Sequence, residues 1–155
     1  MMIVGNGPQL EMLKKMAKGL KIRENVIFCG FVSNEEMPLY YNAAEIFINP
    51  TVREEGLSIV VVESMACGLP VVSSRIGGTA STIDEGVSGF FVKPKDEKML
   101  IKKSIEILSN KKLAERFGKN ARAKALAQFS KEKMVADYLD ISQRLIAKMA
   151  KIEKQ

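Results

Sequence analysis

The stretch from Arg53 to Ser74, REEGLSIVVVESMACGLPVVSS, restricts what this chain can fold into more than any other. Glu54, Glu55 and Gly56 open it with two carboxylates and a residue that permits close backbone approach. Leu57 to Cys67 follow, nearly all apolar and interrupted by Glu63. Gly68-Leu69-Pro70 then stop the segment and lead into Val71-Val72. The β-branched run Ile59 to Val62 suits a buried strand, and periodicity does not separate that from a buried helix. Eleven residues are long for a strand. A glycine just past the end, with a proline soon after, suits a helix C-terminus. The segment reads as a buried helix feeding a buried strand, one step of an α/β sheet.

Glu55 and Glu63 are eight positions apart, roughly 12 Å along a helix axis. Paired carboxylates that cleave a glycosidic bond stand about 5 to 9.5 Å apart, so this pair is not read as a hydrolase acid and base. It suits the two ends of one elongated ligand, with the amides near Gly56 to Ser58 facing the middle. A helix N-terminus attracts anions, which makes that middle a phosphate or diphosphate. A polyol at each end of a diphosphate describes a nucleotide-sugar. The competing reading of the same spacing is that Glu63 is an ordinary glutamate at a solvated helix edge.

Composition narrows the classes. A chain of 155 residues is one domain by length, and 46% apolar residues can bury a core. No apolar run is long enough for a membrane span. Met1 to Pro8 has neither the basic nor the apolar region of a signal peptide. Cys29 and Cys67 are too few for a disulfide framework and are expected as buried free thiols in a reducing cytoplasm. With no histidine and no Asp-x-Asp motif, no metal site is expected. There is no tryptophan and only 6% aromatic residues, so a stacking platform for single-stranded nucleic acid is not foreseen. The net charge of +6 is uneven: residues 93–124 carry eleven basic and four acidic side chains. Such a stretch suits an anionic membrane surface, an acidic partner domain or nucleic acid, or is simply a set of solvated lysines on outer helix faces.

In chain order, Met2-Ile3-Val4 reads as a strand, Gly5-Asn6-Gly7-Pro8 as a tight turn, and Leu10 to Leu20 as a helix with Leu10, Leu13, Met16, Ala17 and Leu20 on one face. Val26 to Cys29 reads as a buried parallel strand. Ser33 or Asn34 is placed to cap a helix over about Glu35 to Asn42, with Glu36 completing a capping box and Leu39 and Tyr40 facing inward. Ala44 to Thr51 holds a third strand and its exit, Pro70 to Ser73 a fourth, and Ile76 to Thr79 a glycine turn with a short helix to about Asp84. Gly86 to Val92 is a turn and the last strand, and Asp96 caps a helical remainder broken near Ser109-Asn110. Ser130 caps the last helix, Lys131 to Ala147, striped by Met134, Tyr138, Ile141 and Leu145. Repeated βα units followed by helices predict a Rossmann-like three-layer parallel sheet flanked by helices, with ligands at the carboxyl ends of the strands.

EGLSIVVVESMACGLPVV resembles the glutamate-x7-glutamate signature of the retaining glycosyltransferases of GT-B fold, glycosyltransferase group 1, family 4, and the resemblance extends over almost the whole chain. It implies that residues 1–155 are the C-terminal donor-binding domain, lacking its first βα unit and the N-terminal acceptor domain. It implies a nucleotide-sugar donor, such as a UDP- or GDP-sugar, for retaining transfer of a hexose, with no cofactor and no metal. Glu55 would orient the transferred sugar. Glu63 would accept from the ribose hydroxyls, the amides at Leu57 and Ser58 would meet the phosphates, and Gly56 and Ile59 would belong to the same donor site. Phe31, Val32 and Ser33 would pack on the base and read its edge, and Gly5 and Asn6 would lie at the mouth of the cleft. The final helix would cross back towards the acceptor domain.

Two positions depart from the family pattern. The arginine–lysine pair that grips the donor diphosphate has no match here; Arg53, Arg75 and Lys93 are cations at other positions. Ser81 stands where the family often has a glutamate. A non-catalytic nucleotide- or partner-binding module of the same fold is therefore the alternative. A third reading is an adaptor that uses the basic stretch. The expected free thiols place the protein in the cytoplasm, and the basic stretch makes peripheral contact at the anionic inner membrane face a further option.

Overall fold

The computed structural model describes residues 1–54 and 56–152. They fall into two compact units, Met1–Tyr40 and the chain from Tyr41 onward.

In the first unit, β1 (Met2–Val4) pairs parallel with β2 (Ile27–Gly30). Met2 lies opposite Ile27 and Ile3 opposite Phe28, and the register then slips so that Val4 meets Gly30. The crossover is α1 (Leu10–Gly19) and a 3-10 turn at Arg23–Asn25, which the sequence pattern did not signal. Arg23 holds that turn, donating to the Val26 carbonyl at 3.0 Å while its guanidinium lies over Phe28. Two expectations need correction. The strand starts one residue later than Val26, and it is half-buried with Ile27 exposed rather than buried throughout. Of the five apolar residues on the α1 face only Ala17 is buried, and Met16 and Leu20 are exposed. A sheet of two strands is too narrow to cover a whole helix face.

α2 (Met37–Asn42) begins two residues later than expected. The amides of Glu36 and Met37 both donate to the Ser33 carbonyl, at 3.1 and 3.0 Å, so Ser33 to Met37 is a turn. The expected capping box does not form. The Ser33 hydroxyl instead donates to the Glu36 carboxylate at 3.0 Å, and the two side chains satisfy each other. The inner face of α2 is also displaced by one residue: Leu39 is 70% exposed, whereas Tyr41 is 4% exposed.

The second unit contains β3 (Phe47–Asn49), α3 (Ile59–Ala66), β4 (Val71–Ser74), β5 (Gly89–Val92), α4 (Glu97–Leu108), α5 (Lys111–Gln128) and α6 (Lys131–Ile152). A 3-10 turn at Gly77–Ser81 takes the place of the expected short helix. The strands form a parallel sheet in the order β3-β4-β5, with Phe47 opposite Val71 and Val71 opposite Gly89. Central β4 is buried along its length. Successive side chains of a strand point to opposite faces, and here they feed two cores. Val71 joins Val61 and Met65 of α3 and Ala121 and Ala125 of α5. Val72 joins Phe90, Ile107 of α4 and Phe117 of α5. Phe117 meets Phe90 edge-to-face at 5.2 Å. Helices thus cover both faces of this sheet, a three-layer arrangement.

Asp96 and Asn110 cap α4 and α5 by accepting from the Met99 and Leu113 amides, at 3.0 and 3.1 Å, and Ser130 accepts from the Lys133 amide at 3.2 Å. The turn after α3 lies directly on α5: a Cβ added at Gly118 would stand 2.1 Å from the Gly68 carbonyl oxygen. α3 is not wholly buried, as its composition suggested. It buries Val61, Ser64 and Met65 against α5 and the sheet, and its opening residues stay exposed. Cys29 and Cys67 are free thiols, half-buried rather than buried. The α6 stripe of Met134, Tyr138, Ile141 and Leu145 is exposed, and the helix runs past Ala147.

Several cations of the basic stretch have structural partners. Lys124 pairs with Asp84 at 2.7 Å, Lys103 pairs with Glu106 at 2.9 Å and lies over the Phe90 ring, and Arg122 donates to the Ala66 carbonyl. Among the described residues no helix is long and apolar enough to cross a membrane.

Candidate functional site

In the second unit, the loop after β3 leads into the start of α3, where four of the named positions lie in succession. Gly56 and Leu57 are exposed, Ser58 is the N-cap, and Ile59 is the first helical residue and 66% exposed. The Ser58 carbonyl accepts from the Val61 and Val62 amides at 3.1 and 3.2 Å, which closes the first turn. Its side chain makes no capping bond. Ser58 is 3% exposed, and its Oγ has no hydrogen-bond partner among the described residues. Buried hydroxyls are normally bonded, and one left alone costs about 1–3 kcal/mol. An orphan hydroxyl beside the positive end of a helix is where an anionic oxygen is favoured.

The loop is seated on the glycine turn at Gly77-Gly78. A Cβ at Gly78 would lie 2.4 Å from the Gly56 carbonyl oxygen and 2.8 Å from the Leu57 amide nitrogen. Only glycine allows the two backbones to approach so closely. Ser81, the departure noted above, donates to the Gly78 carbonyl at 2.8 Å and so braces the same turn.

Glu63 follows Ile59 by four residues, so both lie on one face of α3. The carboxylate is half-buried, and Tyr41 donates its hydroxyl to Glu63 Oε2 at 3.0 Å. Burial, and then the hydrogen bond to Glu63, push the Tyr41 hydroxyl above its ordinary range. Cys67, one turn further along, is also pushed up, chiefly by burial, with Arg122 opposing. Glu55 lies outside the described residues.

The remaining named positions belong to the first unit. The Gly5 amide donates to the Gly30 carbonyl at 2.7 Å, which sets Gly5-Asn6 beside Phe31 at the carboxyl ends of β1 and β2. Phe31 is 80% exposed, while Val32 and Ser33 are half-buried. An aromatic ring this open at a strand exit contributes nothing to the core. In the second unit, a pocket of about 190 Å³ opens where the three strands end, lined by Pro50, Ser74, Val92 and Lys93 among others. Of the three cations noted in the sequence, Lys93 is in this pocket and Arg75 lies over the Phe91 ring. Among the described residues no three His, Cys, Asp or Glu side chains come together to hold a metal.

The sequence does not single out Tyr41, because its pattern turns Leu39 and Tyr40 inward instead. Its only signal was an aromatic residue with a hydroxyl, one position along the same short helix.

The sequence matches the glycosyl transferases group 1 family over residues 1–124. The chain belongs to that family. This group 1 chain is 35% identical over 130 residues to the GDP-mannose-dependent alpha-(1-6)-phosphatidylinositol monomannoside mannosyltransferase of Mycolicibacterium smegmatis, covering 80% of this chain and 34% of that protein. Its structure is similar to sucrose-phosphate synthase from Thermosynechococcus elongatus, with a TM-score of 0.84 and 28% identity, covering 94% of this chain and 38% of that one. It is also similar to Anabaena HepE in complex with UDP-glucose, with a TM-score of 0.81 and 25% identity, covering 94% of this chain and 40% of that one. The chain thus spans about a third of the length of the curated relatives it matches. Its fold is the Rossmann-like C-terminal half of a GT-B group 1 glycosyltransferase.

Proposed function

We propose that this chain is the donor-binding half of a group 1 glycosyltransferase, taking a nucleotide-sugar for retaining transfer of a hexose to an acceptor. The observation that carries the proposal is the start of α3, where Ser58 Oγ is buried without a partner among the described residues, five residues before the half-buried Glu63. A diphosphate satisfies the orphan hydroxyl and the amides at Leu57 to Ile59, and a ribose diol satisfies the carboxylate. The UDP-glucose seen with Anabaena HepE belongs to the same ligand class.

Each residue then has a task. The phosphates lie against Gly56 to Ile59, where backbone donors and the helix dipole stabilise the charge that grows as the nucleoside diphosphate leaves. Glu63 accepts from the ribose hydroxyls. Within the first unit, Phe31 offers an exposed flat apolar face suited to a base, with Val32 and Ser33 next to it and Gly5-Asn6 at the neighbouring strand exit. Glu55 holds the hydroxyls of the transferred sugar and stabilises positive charge at its anomeric carbon. Retention follows from front-face attack, in which the leaving phosphate takes the acceptor proton. The acceptor is bound by a preceding domain, against which the exposed α6 stripe packs.

A thermal-shift titration of the chain with UDP, GDP, ADP and their sugar conjugates tests this, alongside Glu63→Ala. Ligand at about 100 times its dissociation constant adds about 2.7 kcal/mol of stability. Glu63→Ala is expected to weaken the preferred nucleotide about tenfold to a hundredfold. Millimolar nucleotide without any shift, or a shift that Glu63→Ala leaves intact, would overturn the assignment.

A further inference from the structure

We propose that Tyr41 is a positioning residue of the donor site: its buried hydroxyl grips one oxygen of the Glu63 carboxylate and thereby aims that carboxylate at the vicinal diol of a ribonucleoside diphosphate. The inference rests on the reading of Glu63 given above and adds a residue to it.

The geometry is specific. Tyr41 is 4% exposed, and its ring stands edge-on to Phe47 of β3, with centroids 5.8 Å apart and planes at 74°. The ring is therefore fixed by packing before its hydroxyl does anything. From that position the hydroxyl donates to Glu63 Oε2 at 3.0 Å, bridging 22 residues of sequence. A free glutamate side chain samples many rotamers, and the tether removes most of that freedom before a ligand arrives.

The bond orients the carboxylate without saturating it. An ionised carboxylate offers about four acceptor positions over its two oxygens. Tyr41 fills one on Oε2, and Oε1 has no protein partner among the described residues. Two neighbouring hydroxyls of one sugar are both donors, and they match the acceptor positions left open. The direction of the Tyr41 shift fits this role, since a hydroxyl held above its ordinary range stays protonated and keeps donating. Phenylalanine would preserve the ring, its burial and the contact with Phe47 while deleting only the donor, so Tyr41→Phe isolates the proposed role.

The test measures the affinity of the preferred nucleoside diphosphate and of its 2′,3′-dideoxy counterpart for wild type, Tyr41→Phe, Glu63→Ala and the double variant. Tyr41→Phe is expected to weaken the ribonucleotide about fivefold to tenfold. It should leave the dideoxy analogue unchanged and add no further loss in the Glu63→Ala background. An equal loss on both nucleotides, or no loss where Glu63→Ala has one, overturns the role of Tyr41 and leaves the donor site standing. Indifference of nucleotide binding to Glu63→Ala overturns the donor reading itself. A ligand-free control is denaturant unfolding of the same four proteins. The hydrogen bond predicts that the two substitutions are non-additive, and strict additivity removes the tether.

Discussion

Ser58→Ala separates a binding hydroxyl from an ordinary helix cap by the sign of its effect. At a working N-cap, serine to alanine destabilises by about 1 kcal/mol. Ser58 occupies the N-cap of α3 but makes no capping bond, and its buried Oγ has no partner among the described residues. Among the described residues the substitution therefore removes an unsatisfied polar atom and no bond. A lone buried hydroxyl costs about 1–3 kcal/mol. Allowing for the small void left by the missing oxygen, a gain of about 0.5–1.5 kcal/mol is expected in the absence of ligand. That gain corresponds to a rise in Tm of about 2–5 °C for a chain of this size. Nucleotide affinity should move the other way and fall about fivefold to twentyfold, because the hydroxyl satisfied by phosphate is gone. Urea unfolding without ligand and calorimetry with nucleoside diphosphate read the two halves separately. A lower unfolding midpoint with unchanged affinity would make Ser58 a plain structural cap and refute the reasoning.

Gly78→Ala brings a Cβ to 2.4 Å from the Gly56 carbonyl oxygen. Relief requires the 56–57 loop to withdraw by roughly 0.6–1 Å, and the expected result is at least a tenfold loss of nucleotide affinity with a smaller change in Tm, read by calorimetry and thermal melting. Gly118→Ala brings a Cβ to 2.1 Å from the Gly68 carbonyl oxygen, at the crossing of α5 over the turn after α3. It should destabilise by about 1–3 kcal/mol or more by denaturant unfolding. Glycine is the residue that this crossing admits, so Gly118→Ser should behave no better.

The elements that could be read in advance are those where local chemistry and packing agree. The α3–β4 step was legible because an eleven-residue, largely apolar run, a closing glycine and a proline all point to one arrangement. Asp96 and Ser130 were legible as caps because a short oxygen-bearing side chain before an apolar period has few other tasks. The parallel α/β class follows from the alternation itself. Burial was harder to foresee. Val26 to Cys29 and Leu10 to Leu20 have core-like composition, yet a two-stranded sheet leaves much of them open. Composition states what a segment can bury, and the width of the surface opposite decides what it does bury.

The site divides along the same line. Gly56 to Ser58 could be named because they open a helix whose N-terminus attracts anions, and Ile59 and Glu63 because the glutamate-x7-glutamate resemblance carries them. Tyr41 could not, because its task depends on where a helix of six residues points, and a one-residue displacement of that face exchanges Tyr40 for Tyr41. The Gly78 contact was equally hidden, since a glycine turn in sequence does not reveal which backbone lies against it. The basic stretch 93–124 resolves in part into structural pairs such as Lys124 with Asp84, a use that net charge does not disclose.

Amide mapping by NMR of the ¹⁵N-labelled chain, titrated with the preferred nucleoside diphosphate, addresses the donor site most directly. The arrangement at the start of α3 requires the largest shifts at Gly56 to Ile59 and at Gly77-Gly78. Shifts concentrated along the lysines of α4 and α5, or in the pocket at Pro50 and Lys93, with the start of α3 silent, would contradict it.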